Sequence, residues 1–221
     1  MNFFLPLLSK WKRSFQIAIL VFGTLAVYVL FPAESRLDVT VQSILLSTVF
    51  FVVLPILFVK LILHEPLSVL GFQGSKHRFG IIAVLAVVIP IILVWYVLLR
   101  TYPVSESYYL PAIIHDSFPF FLLYEIILIG ALAFLYEVFF RGFVLILWLR
   151  KAGIWAVFFQ SALFALFLIA SGVGFSWQDA PLILASLGSG FVAFYTRSVP
   201  YSWLSAWLIL FLSDVLILII R

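Results

Sequence analysis

The sequence predicts an all-α, polytopic membrane helix bundle of about seven transmembrane helices, and three observations carry that expectation. Of 221 residues, 66% are hydrophobic and only 10% are charged, where a soluble domain carries about 25% charged residues. Apolar runs long enough to cross a hydrocarbon layer roughly 30 Å thick follow one another with short polar breaks. Lysines and arginines gather on one of the two sides that these runs define. An ordinary cytosolic globule and a disordered chain are both excluded, and the mean hydropathy of +1.27 agrees. With no Cys, the chain has no disulfide framework, thiolate zinc site, iron–sulfur cluster or cysteine nucleophile.

The first run, Phe15 to Phe31, is expected to stay in the chain, because no small-residue cleavage site follows Phe31 and six more runs come after it. The second covers Val41 to Leu63 and the third Gly80 to Leu99. The fourth runs from Phe118 to Phe140, and the piece Gly142 to Leu149, too short to span alone, is expected to continue that helix toward the surface. The fifth covers Ile154 to Ala170. The sixth, Pro181 to Tyr195, carries a small-residue face of Ala185, Gly188, Ser189 and Gly190 that lets another backbone approach inside the bundle. The seventh covers Trp203 to Ile220.

A cytoplasmic N-terminus puts Lys10, Lys12, Arg13, Lys60, Lys76, Arg78, Arg150, Lys151 and Arg197 inside and Arg36, Arg100 and Arg221 outside, nine against three. The net charge of +4 is therefore read as orientation in a cell membrane, with membrane lipids as neighbours and no nucleic-acid partner. Trp11, Trp95, Trp148, Trp177 and Trp203 fall near predicted span ends, where an indole ring suits the headgroup level. No long linker, repeat or low-complexity tract interrupts the chain, so residues 1–221 are read as one integral membrane domain.

Four charged residues lie inside the runs or at their ends: Glu125, Glu137, Arg141 and Asp214. Each costs about 2.5 to 3.5 kcal/mol at a helix centre and needs a partner or a wet cavity. Glu137 and Arg141 stand four apart with the acid N-terminal, the favourable order for a direct pair on one helical face. Glu125 is twelve residues before Glu137, about 120° around a regular helix, and is expected to face a different neighbour. On spacing alone the pair suits a structural brace as well as a catalytic site.

Tyr136-Glu137-Val138-Phe139-Phe140-Arg141-Gly142-Phe143 resembles the first signature of the CPBP family, also called Abi, which includes CAAX-processing intramembrane proteases. That signature has two adjacent Glu, three residues, then Arg and often Gly. Tyr136 stands in the first acidic place, as in a branch with the pattern aromatic-Glu-Phe-Phe-Phe-Arg-Gly. Glu65-Pro66-Leu67 with Gly71, Tyr124-Glu125, Phe164-Ala165-Leu166-Phe167, and Thr196-Arg197-Ser198 before a last helix ending near Asp214 also fall in family order, over roughly residues 60 to 220. In active members, the resemblance implies, the glutamate activates a water that attacks a peptide carbonyl, and two histidines from later helices position and polarise the reactants.

Both histidine places are filled otherwise. The second motif, Phe and three residues before His, leads from Phe164 to Leu168, and the third leads to Ala206, or to Leu210 with the commoner spacing. The histidines present are His64, His77 and His115, all outside the predicted bundle interior, and His115 with Asp116 is expected to be an exposed interfacial pair. No metal or other cofactor is expected.

The resemblance therefore implies a degenerate member: a pseudoprotease that holds a hydrophobic peptide, a lipidated chain or another membrane protein, with Glu125, Tyr136 and Asp214 lining its cavity or bracing it. An active endopeptidase, with Glu137 and Arg141 as its catalytic groups, is the alternative. A small-molecule or ion transporter is a third class, because intramembrane acids are expected there too.

Overall fold

An apolar segment in lipid has no water to satisfy its N–H and C=O groups, so it must close them on itself. The computed structural model describes residues 4–31, 39–72, 77–102, 117–172 and 179–220, and these are helical throughout apart from short connections. The helices are α1 (Phe4–Leu30), α2 (residues 39–62), α3 (His77–Thr101), α4 (residues 118–152), α5 (Trp155–Ala170), α6 (Ala180–Thr196) and α7 (Val199–Ile220). Of the sequence-derived positions, Arg36, Lys76, His115, Asp116, Trp177 and Arg221 lie outside the described residues, as do the side chains of Lys10, Trp11, Lys12 and Arg150.

Five helices are long and apolar enough to cross a membrane, through Arg13–Leu30, Val41–Ile62, His77–Thr101, Phe118–Trp148 and Val199–Ile220. The chain is thus a helical, membrane-associated protein. α5 and α6 are apolar but have 16 and 17 residues, a length of about 24 to 26 Å at 1.5 Å per residue. The segment after Phe140 continues α4 without a break.

Two compact units divide the chain, Met1–Leu67 and Ser68–Arg221. In the first, α1 meets α2 where the Tyr28 ring stacks on Phe51 at 4.9 Å and the Tyr28 hydroxyl lies 3.1 Å from Ser47 Oγ. Arg13 of α1 pairs with Glu65, just beyond α2, at 2.6 Å.

The second unit holds every intramembrane charge identified above. α3, α6 and α7 pack closely, and Gly188 makes this possible: a Cβ there would lie 2.9 Å from Val87 of α3 and 3.1 Å from Ile209 of α7. The small-residue face of α6 is thus a packing face. α4 departs from regular geometry in two π-helical stretches, Tyr124–Ile129 and Val138–Leu145. Gly142, inside the second, lies against Leu70 of the same unit, and a Cβ there would sit 2.9 Å from the Leu70 carbonyl oxygen.

Large apolar side chains such as Phe118, Ile127, Trp155 and Leu166 point outward, while Glu125, Glu137, Arg141, Gln160, Ser189, Ser202 and Asp214 are buried. That distribution inverts a soluble core and suits a lipid surround. Trp95, near a span end, is covered by neighbouring helices. It is fully enclosed with Leu99, Phe121 and Ile217, because α4 and α7 cover the face of α3 that carries it.

Candidate functional site

Glu137 ends a regular α-helical turn of α4, and Arg141 stands one turn later in the π-helical stretch Val138–Leu145. Both are 2% exposed, and Arg141 Nε lies 3.1 Å from Glu137 Oε1. The Nε–H is not directed along that contact, so the pair is held by charge rather than by an aligned hydrogen bond. Arg141 spends its Nη2 on the Ser186 carbonyl oxygen of α6, at 2.8 Å, and its guanidinium carbon lies 5.7 Å from the centre of the Phe164 ring of α5.

Two hydroxyls complete the enclosure of the carboxylate. Ser189 Oγ of α6 donates to Glu137 Oε1 at 2.9 Å, and Ser202 Oγ of α7 donates to Glu137 Oε2. A carboxylate held by a cation and two O–H donors is stable at low dielectric, since each oxygen is charge-paired or hydrogen-bonded. Gln160 of α5 adds its amide, donating to Ser161 Oγ at 2.6 Å and to the Ser186 carbonyl at 3.2 Å. One main-chain oxygen, that of Ser186, therefore gathers Arg141 and Gln160 from two helices.

Tyr136, next to Glu137, packs its ring against Phe164 at 5.8 Å and Phe167 at 6.1 Å. Leu168 is buried one turn beyond Phe164 on α5. Ala206, one turn beyond Ser202 on α7, is buried in an apolar cluster with Val84, Val88, Ala185 and Ile209. His64 is exposed, and His77 Nδ1 lies 2.9 Å from the Tyr201 hydroxyl in an exposed contact between α3 and α7.

The side chain in electrostatic reach of Glu125 is Asp214 of α7, whereas Glu137 is held by Arg141, Ser189 and Ser202. Glu125 lies in the π-helical stretch Tyr124–Ile129. A π bulge adds one residue to a turn and rotates the remainder of the helix by about 100°, so regular spacing does not give the angle between two acids twelve apart. α4 and α7 run antiparallel, so Glu125 meets Asp214 near one end and Glu137 meets Ser202 near the other.

Gln160, Ser186 and Ser202 escape a reading of the sequence alone. Gln160 has a signal, as the lone amide in the apolar run Ile154 to Ala170. Ser202 has a weaker one, its spacing of three and twelve from Ser205 and Asp214 on a helix whose other residues, apart from Tyr201 and Ser213, carry no hydroxyl or charge. In comparisons with protein-family models, curated proteins and solved structures, the chain matches none.

Proposed function

We propose that this chain is a seven-span membrane protein of the CPBP type, with a cytoplasmic N-terminus, that works as a pseudoprotease: a binding or scaffold subunit for a hydrophobic peptide, a lipidated chain or another membrane protein. The observation that carries this reading is the state of Glu137. A general base must reach a water with a free lone pair. Here each carboxyl oxygen already accepts a hydroxyl, Oε1 from Ser189 and Oε2 from Ser202, Arg141 lies beside Oε1, and at 2% exposure the residue is enclosed away from water. Leu168 and Ala206, at the places where the resemblance puts histidines, add only apolar packing.

Seven spans are supported by the connections within the second unit. α4 and α5 are joined through Gly153-Ile154 and α6 and α7 through Arg197-Ser198, each too short for anything but a reversal of direction. The orientation rests on the excess of basic residues on the inner side.

The test is a cleavage assay on the full chain in lipid with a prenylated reporter peptide, beside purification in mild detergent and identification of what stays bound. A stoichiometric bound partner with no cleavage is the expected result. Cleavage by the wild type that disappears in Glu137→Gln would overturn the reading and make the chain an endopeptidase.

A further inference from the structure

The helices of the second unit differ in length, and the two short ones are fixed by their own ends. Gly153 stops α4 just before α5 begins, and Gly172 follows the end of α5. Both are in the left-handed backbone region, at φ 54° and 81°, with open space where a Cβ would stand. Each glycine is thus there for its conformation, which a further helical turn could not accommodate. α6 is bounded alike, by Pro181 in its first turn and by Arg197 at φ 55° beyond its last residue. With 16 and 17 residues, α5 and α6 extend about 24 to 26 Å. α3 and α7, with 25 and 22 residues, extend about 33 to 38 Å. An average hydrocarbon layer is about 30 Å thick.

The short helices are neighbours: the Phe158 ring of α5 meets the Phe191 ring of α6 edge-on at 5.8 Å, and Gln160 donates to the Ser186 carbonyl. On its other side α5 is open, with Trp155, Ala162, Leu166 and Ile169 exposed. Trp155, 72% exposed, opens the helix at the end where Trp148 of α4 lies against Phe159 at 4.7 Å, and two indoles there suit the headgroup level. Exposed Ser171 and Gly172 close the other end. None of the 16 residues is charged, so the strip has no long basic side chain within it to reach back to a distant headgroup. A lipid beside α5 meets an apolar height of about 24 Å, about 6 Å less than the average layer.

We propose that the outer side of α5 selects phospholipids with short acyl chains, so that the bilayer is thin at this edge of the second unit. This rests on the reading that α5 crosses the membrane. A span shorter than the surrounding hydrocarbon carries a cost for each ångström of mismatch, and short chains remove it. The longer α3 has no such shortfall.

Fluorescence quenching in mixed bilayers tests the selection. The full chain, which has no native Cys, is placed in an equal mixture of a short-chain and a long-chain phosphatidylcholine. A fluorophore on Ala162→Cys reports the outer side of α5 at mid-height, and one on Ile89→Cys reports the exposed side of α3. The quencher is carried by the short-chain lipid in one sample and by the long-chain lipid in the other. At Ala162 the short-chain quencher should be about twofold more effective, with no such excess at Ile89. Equal quenching at Ala162, or the same excess at both positions, overturns the proposal. Cysteine labelling at Ile154 and Ser171 separates it from the reading it rests on. Opposite compartments with equal quenching overturn the lipid selection alone, whereas one shared compartment removes the span and the thin edge together.

Discussion

Trp207 donates its indole N–H to the main-chain oxygen of Glu125 at 2.9 Å, and Trp203, one turn earlier on α7, does the same to Gly130 at 2.8 Å. The two rings stack at 6.3 Å and bracket the π-helical stretch Tyr124–Ile129. A π bulge gives up regular hydrogen bonding, and an outside donor at each border compensates for part of that loss.

Replacing Trp207 by Phe keeps the stacking and removes the donor. The expected cost is about 1 kcal/mol, the net worth of one hydrogen bond. Thermal unfolding in detergent measures it, and Trp207→Phe matching the wild type would show that the bracket contributes nothing.

The Glu137–Arg141 pair should behave as a coupled unit. Glu137→Gln or Arg141→Met alone strands the remaining charge at a cost of roughly 3 to 5 kcal/mol, while the double variant is milder. A thermal-stability cycle checks it. Losses that simply add would mean that the two side chains do not interact.

Whether α5 crosses the bilayer is open to chemical labelling, because the chain has no native Cys. Ile154 and Ser171 flank α5 and are both exposed. Ile154→Cys and Ser171→Cys should react with an impermeant reagent from opposite compartments. Reaction of both from one side would remove α5 from the count of spans.

Placing histidines where the resemblance puts them, Leu168→His with Ala206→His, should cost about 1 to 3 kcal/mol where an imidazole finds no partner. Any hydrolysis gained is expected to vanish when Glu137→Gln is added. Activity that survives that third change would place the chemistry elsewhere in the chain.

The features legible in the sequence are local ones. The Glu137–Arg141 pairing depends on helical spacing within four residues, which a π stretch beginning at Val138 leaves intact. The contacts of Ser189, Ser202 and Gln160 depend on which helices pack together, and hydroxyls in membrane helices give little warning of that. The direction of Glu125 is not legible, because regular spacing over twelve residues cannot register a bulge, and one bulge suffices to swing the end of a helix. Trp95 is hidden for a related reason: its position near a span end says nothing about whether another helix covers it.

The antiparallel fit of α4 and α7 bears on how the molecule is made. α4 carries Glu125, Gly130 and Glu137, whose partners Asp214, Trp203, Trp207 and Ser202 all belong to the last described helix to leave the ribosome. Until α7 inserts, Glu137 has Arg141 and Ser189 but lacks the Ser202 hydroxyl, and the main-chain oxygens of Glu125 and Gly130 lack their indole donors. The last helix made is thus the one that closes the fold around α4, supplying the outside donors at both borders of its first π-helical stretch and the final hydroxyl to Glu137.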